Sequence, residues 1–401
     1  MKVLFVHDRF GALAGAEANA LATAAEFRRR GHEVGLLHGL GTGRSESDWS
    51  NTFSCFCTSL SSAAQMAEAR RALEKFAPDL IYVHNLSQLE ALEMLLASKV
   101  PAVKMVHDHD LYCLRSYKYN CFSRRICTRA LSPYCLIPCG GFLKRERQGR
   151  FPLAWVSYGK KRREIALNQK FDRLLVATHY MKDELLRNGF EARRIEVRPP
   201  VPPRADTGGR SALSSQNRII YAGQITRGKG VDVLLEALAK VKAPFECHLF
   251  GDGHYRRFCE ELSQRLGLGG KVHFRGFVSQ EELKQHYRDC RVAVMSSVWP
   301  EPFGAVGLEA MRFGIPVVAF DAGGIKEWLT DGYNGFLVPW MDCGQFAERV
   351  EALLRDGVLA GRMGEHAFQT VRQRFDFPSY IDGLEHLFGE LVRSLKPTLQ
   401  T

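Results

Sequence analysis

Short apolar runs, each closed by a polar or glycine turn and followed by a stretch of helical period, recur along almost the whole chain. In the first half such runs fall at 3–6, 33–37, 79–84, 103–106 and 171–177. Helical patterns lie between or after them at 16–30, 63–76, 89–96 and from His179 to Asn188. The second half repeats the rhythm, with runs at 218–222, 247–250, 272–277, 292–295 and 317–320 and helical patterns at 231–241, 281–290, 345–355 and 359–375. Strands separated by helices cannot pair through tight hairpins, so this order predicts parallel sheets covered by helices. Pro199, Pro200, Pro202 and Pro203, followed by polar residues to Asn217, interrupt the rhythm once and read as an interdomain linker. With 401 residues the chain is long enough for two cores. The expected division is a first domain over 1–198, a linker over 199–217, a second domain over 218–380 and a final helix within 381–401. From about 112 to 160 the alternation fails, and this segment reads as an insertion in the first domain.

A content of 45% hydrophobic and 25% charged residues is that of an ordinary soluble domain protein. No stretch approaches the roughly 18 uninterrupted apolar residues of a membrane span. Residues 1–6 are too short for a signal-peptide core, which points to the cytoplasm. The net charge of +11 calls for an anionic partner. No zinc-finger or RNA-binding aromatic signature is present, so nucleic acid is not expected. The densest basic segment, residues 144–163, interleaves Lys144, Arg147, Arg150 and Lys160–Arg163 with Phe142, Phe151, Leu153, Trp155 and Tyr158. It suits either docking on an anionic membrane surface, which would make the protein peripheral on the inner face, or a solvated face.

Of eleven cysteines, five (Cys113, Cys121, Cys127, Cys135 and Cys139) cluster in the insertion. Without a secretory signal they read as metal-binding, redox-labile or structural thiols rather than a disulfide framework, and they lack the paired spacing of common zinc sites. Zinc in this segment stays open, and no metal is expected at the reacting centre. Cys55 and Cys57 fall in a Ser-rich loop, and Cys247, Cys259, Cys290 and Cys343 read as small buried apolar residues.

Two nucleotide motifs can be tested. A dinucleotide-binding turn needs GxGxxG after the first strand and an acid about 20 residues on. Gly11 and Gly15 have the wrong spacing, and His38 and Gly39 follow the second run where the acid should stand. The segment from Gly223 to Gly230 nearly fits GxxxxGK[ST], but Gly230 replaces the hydroxyl that would hold magnesium. What survives is a cation, Lys229, at a helix start that would face a diphosphate.

The stretch from Trp299 to Glu327 reads loop, helix, strand, loop, helix start. Pro300 and Pro302 keep the chain extended, Gly304 opens a helix, and Gly323 and Gly324 make a second turn. Glu301 and Glu309 bracket that helix with seven residues between them, about two helical turns apart. His107 directly follows a strand, where ligands gather in open α/β sheets.

This stretch resembles the donor-binding segment of family 4 retaining glycosyltransferases, whose mark is two glutamates spaced like Glu301 and Glu309. The resemblance implies an α/β fold of two Rossmann-like domains facing a cleft, with the last helix packing back on the first domain. It implies transfer of a sugar from a nucleotide-diphospho-sugar to a glycan or lipid-linked acceptor in cell-surface polysaccharide synthesis, with retention of the anomeric configuration. In that frame Glu309 binds ribose hydroxyls. Glu301 and the backbone N–H groups of Phe303, Gly304 and Ala305 hold the sugar. Lys229 and the Gly15 turn neutralise the diphosphate, His107 lies near the sugar, and the turns at Gly251 and Phe277 meet the nucleoside. The family uses Arg where this chain has Gln224, and Arg227 is the nearest replacement. A nucleotide-sugar 2-epimerase of the same fold and a non-catalytic nucleotide-sugar or membrane-binding protein are the rival readings.

Overall fold

A computed structural model describes residues 1–8, 15–39, 53–58, 62–120, 123–137, 139–145, 153–203 and 214–395. Gly11, Cys121, Arg147, Arg150 and Phe151 lie outside them. The chain forms two compact units: Met1–Ser116 with Arg129–Pro203 and Phe377–Thr401, and Tyr117–Thr128 with Arg204–Asp376.

In the first unit the strands β1 (Lys2–His7), β2 (Glu33–Gly39), β3 (Ser54–Thr58), β4 (Leu80–Asn85), β5 (Ala102–Val106), β8 (Arg173–Val176) and β9 (Ile195–Val197) form one parallel sheet in the order β3-β2-β1-β4-β5-β8-β9. Its central strands are buried along nearly their whole length, as continuous apolar runs require when both faces are covered. Helix α1 (Ala16–Arg29) joins β1 to β2. Strand β3 corrects the reading of Cys55 and Cys57 as loop residues. It has one neighbour among the described strands, so Ser54 and Thr58 can stand in it without a continuous apolar run.

The segment 112–160 is not one body. Strands β6 (Leu143–Arg145) and β7 (Leu153–Trp155) make an antiparallel pair in the first unit, whereas Tyr117–Thr128 folds with the second. The last helix (Phe377–Leu395) folds with the first unit and begins before the expected position 381. Pro378 does not stop it, because a residue in the first helical turn has no N–H to satisfy within the helix. Phe388 is fully buried there, its ring 5.1 Å from Tyr82 and 5.5 Å from Phe27. Arg30 forms ion pairs with Asp382 and Glu385, and His32 contacts Glu385 at 2.6 Å.

In the second unit β10 (Arg218–Ala222), β11 (Glu246–Phe250), β12 (Val272–Gly276), β13 (Val292–Met295), β14 (Val317–Phe320) and β15 (Gly335–Val338) form a parallel sheet ordered β12-β11-β10-β13-β14-β15. Its core sets Ile219, Leu249, Val294 and Val318 with the helical residues Leu234, Leu235, Phe346 and Val350. Ser279, Asp342 and Asp356 cap the helices that follow them by accepting from Glu282, Gln345 and Leu359 N–H groups. Among the described residues no helix is long and apolar enough to cross a membrane.

Candidate active site

The turns that leave the C-terminal ends of β10, β11, β13 and β14 are tied to one another through the backbone. Gly223 N–H donates to Phe250 O at 2.9 Å and Ile225 N–H to Asp252 O at 2.9 Å. Val298 and Trp299 N–H groups both donate to Gly228 O, and Ser296 Oγ donates to Lys229 O at 3.0 Å. Glycine is needed where these turns touch. A Cβ on Gly230 would stand 2.0 Å from Ser296 O, and one on Gly251 would stand 2.0 Å from Gly223 O. Gly251, expected against the nucleoside, thus has a packing reason of its own. Phe277, just after β12, is 77% exposed.

Lys229 ends the single turn Arg227–Lys229, just before the helix Val231–Leu238. Its ammonium donates to Glu301 Oε1 at 2.6 Å and lies 5.1 Å from the centre of the Trp299 ring. Trp299 Nε1 donates to the same oxygen at 2.9 Å, as does Ser297 Oγ. Glu301 is nearly fully buried. Burial alone would raise its carboxyl, but Lys229, Ser297 and Trp299 outweigh that and hold it below the usual range. Gln224 is exposed, and its carbonyl accepts from Tyr221 Oη at 2.9 Å. Arg227 is half-buried, and its Nε is enclosed without a hydrogen bond.

Glu301 precedes the helix that carries Glu309 and lies in the stretch that Pro300 and Pro302 keep extended. It is paired in extended form with Gly323, giving Glu301 N–H to Ala322 O at 3.0 Å and receiving Gly324 N–H at 2.7 Å. Gly304, with φ of 82°, breaks the backbone, and the helix Ala305–Arg312 starts only then. The first-turn N–H groups of that helix have no acceptor within it. Phe303 is fixed behind them, its carbonyl accepting from Trp328 Nε1 at 2.6 Å. Glu309 is half-buried in other surroundings. Burial raises its carboxyl against the pull of Arg312 and Lys284.

Gly15 and His107 belong to the first unit. Gly15 has φ of 75° and open space where a Cβ would be, at the start of the helix Ala16–Arg29. His107 follows β5, and its Nε2 lies 2.9 Å from His84 Nδ1, with the rings stacked at 5.2 Å. His7, at the end of β1, stacks on the other side of His84 at 6.2 Å. Burial first, then the charges of His7 and Lys104, lowers His107 to about 3. Burial and Lys104 lower His7 to about 4, and burial depresses His84 too. The group is uncharged at neutral pH. His7, His84, Ser297 and Trp299 were not singled out from the sequence as site residues, although all stand at or just beyond the C-terminal ends of strands.

Among the described residues the cysteines of 113–139 do not converge with other ligand types, and Cys127 belongs to the second unit while Cys113, Cys135 and Cys139 belong to the first. Cys343 is half-buried, unlike the buried Cys247, Cys259 and Cys290. Glu246, His248 and His273 bring ligand atoms within 4.8 Å of one another. Burial, then Arg275 and Arg218, lower His248 to about 4, and the same positive field opposes a divalent cation.

Two parallel α/β units with these strand orders are the architecture of the B-type glycosyltransferase fold. A crystal structure of HepE from Anabaena in complex with UDP and glucose superposes with a TM-score of 0.74 at 22% identity, over 97% of this chain and 100% of that one. The chain belongs to the family 4 glycosyltransferases: residues 13–201 match the model described as Glycosyltransferase Family 4, and residues 210–370 match Glycosyl transferases group 1. The alpha-D-kanosaminyltransferase of Streptomyces kanamyceticus is 31% identical over 204 residues, 50% of each chain. The lipopolysaccharide core biosynthesis glycosyltransferase LpsE of Rhizobium meliloti is 32% identical over 171 residues, 43% of this chain and 49% of its own. The matched region is about half the length of these curated relatives.

Proposed function

We propose that the protein transfers a sugar from a nucleotide-diphospho-sugar to a glycan or lipid-linked acceptor, with retention, during cell-surface polysaccharide synthesis at the cytoplasmic face of a membrane. The observation that carries this reading is the Lys229 ammonium, held by Glu301 and Trp299 next to a helix start. A cation so fixed suits a departing diphosphate, where charge develops as the glycosidic bond breaks. Glu301, kept ionised, accepts from sugar hydroxyls, and the N–H groups opening the Ala305–Arg312 helix add donors. Glu309 accepts from the ribose. Gln224 removes one cation from the family pattern, and Arg227 stands three residues away to supply it. His107, uncharged at neutral pH, can donate or accept toward the sugar.

The bond between the acceptor oxygen and the anomeric carbon forms on the face where the bond to the phosphate oxygen breaks, and that oxygen takes the acceptor's proton. No metal is required by this scheme, because Lys229 and helix N–H groups neutralise the leaving group. Trp155, 81% exposed, and the exposed Lys160 and Arg162 on the helix that follows support contact with an anionic membrane surface. Lys161 takes no part in it, since its ammonium donates to Asp110 O at 2.6 Å.

The test is release of nucleoside diphosphate from UDP-, GDP- and ADP-sugars in the presence of membrane lipid extract. UDP comes first because the HepE structure holds it. One donor should be turned over, and Lys229→Ala should slow release by about 10²-fold or more, the usual cost of removing a transition-state donor. Binding without release would favour a non-catalytic protein, and conversion of the donor into an isomer with no acceptor present would favour the epimerase.

A further inference from the structure

Between two segments of the first unit the chain makes an excursion. Residues Tyr117–Thr128 fold with the second unit. The excursion is a closed loop of its own. Tyr119 pairs with Ile126, Cys127 N–H donates to Lys118 O at 2.7 Å, Asn120 N–H to Arg125 O at 2.9 Å and Arg124 N–H to Asn120 O at 2.8 Å. Three of its side chains meet the Lys229 turn, the loop that holds Trp299 or the helix that follows the turn. The Tyr117 ring packs edge-on against Trp299 at 5.8 Å. Tyr119 lies over Gly228, so that a Cβ there would stand 3.3 Å from its hydroxyl. Arg124 forms an ion pair with Asp232, whose other oxygen is enclosed without a hydrogen bond.

Asp232 is the second residue of the helix that begins after Lys229 and Gly230, and its side chain is 9% exposed. A bare carboxylate there would oppose the helix dipole and Lys229 at the place where a diphosphate is to be bound, in a setting that screens charge poorly. The Tyr255 hydroxyl, 3.4 Å away, donates only a weak hydrogen bond. The Arg124 guanidinium, 11% exposed, is the full positive charge paired with it.

We propose that Arg124 is a positioning residue of the donor site: carried in by the 117–128 loop, it cancels the charge of Asp232 and so preserves the affinity of the Lys229 turn for a nucleoside diphosphate. This rests on the nucleotide-sugar reading above. It assigns to the insertion a role on the donor side of the reaction, in addition to any in acceptor choice.

The test is calorimetric titration of UDP, GDP and ADP into wild type, Arg124→Gln, Arg124→Lys, Asp232→Asn and the Arg124→Gln/Asp232→Asn double variant, with the parent nucleoside as the uncharged probe. Arg124→Gln should weaken the diphosphate about tenfold or more and leave the nucleoside within about twofold. Arg124→Lys should recover most of the loss, and the double variant should return to within about threefold of wild type, because removing the acid removes the need for the cation. Should Arg124→Gln fold poorly, the other two variants still decide, since Asp232→Asn must bind at least as well as wild type and the double variant within about threefold of it. Equal diphosphate binding by wild type and Arg124→Gln, or a double variant as weak as the single one, overturns the role of Arg124 alone. A wild type that binds none of the three diphosphates overturns both this inference and the transferase reading.

Discussion

His7, His84 and His107 end three neighbouring strands of the first sheet, and their mutual stacking has a consequence for acid stability. An unfolded histidine titrates near 6.5, whereas His7 and His107 are lowered to about 4 and about 3. Their folded values are depressed, so between these limits the unfolded chain binds protons that the folded one refuses. Stability is therefore complete above about pH 6.5 and falls as pH drops toward 4. Urea denaturation from pH 7.5 to 4.5 should show a midpoint that is flat and then declines, and His107→Gln should make the decline shallower by about 1–2 kcal/mol. An unchanged slope would mean that the imidazole protonates freely in the folded state. His107 was legible because it directly follows an apolar run. His7 and His84 were not read as its partners, since adjacency in a parallel sheet depends on strand order, which no local pattern encodes.

Edge strands and the last helix carry the clearest lessons among the elements. The central strands and most helices were legible because a run buried on both faces must be continuously apolar. Ile195–Val197, Gly335–Val338 and Ser54–Thr58 were missed, being short or half-polar and lying at or near a sheet edge. The glycine turns around Lys229 and the extended stretch at Glu301 were read from the sequence, but the pairing of Glu301 with Gly323 was not, because it joins residues on two different loops. The helix Phe377–Leu395 was expected against the first domain, and its hold there can be measured. Phe388 fills a fully buried position between Tyr82 and Phe27, so Phe388→Ala should cost about 3–5 kcal/mol in denaturant unfolding followed through first-unit signals. A loss below about 1 kcal/mol would show that the helix is not integral to that unit.

At the scale of the molecule, each compact unit is completed by chain that belongs, in sequence, to the other half. The first half lends Tyr117–Thr128 to the second unit, and the last stretch, Phe377–Thr401, returns to the first. The linker predicted at 199–217 therefore separates two stretches of sequence but not two self-sufficient folds, which is why a boundary drawn from composition alone was incomplete. This bears on how such proteins recombine. A chimera joined at the linker, taking its second half from a relative in order to acquire that relative's donor, would seat a foreign 117–128 loop against the imported turn and helix start. Its activity on the new donor should be well below that of a four-junction chimera in which the loop and residues Arg204–Asp376 come from one parent and the rest, the final helix included, from the other. Equal turnover by the two chimeras would show the loop to be interchangeable. On the function proposed above, exchange between lineages that keeps the donor site whole must move two separate pieces of sequence together, so donor preference would be inherited as a discontinuous block rather than as a single domain.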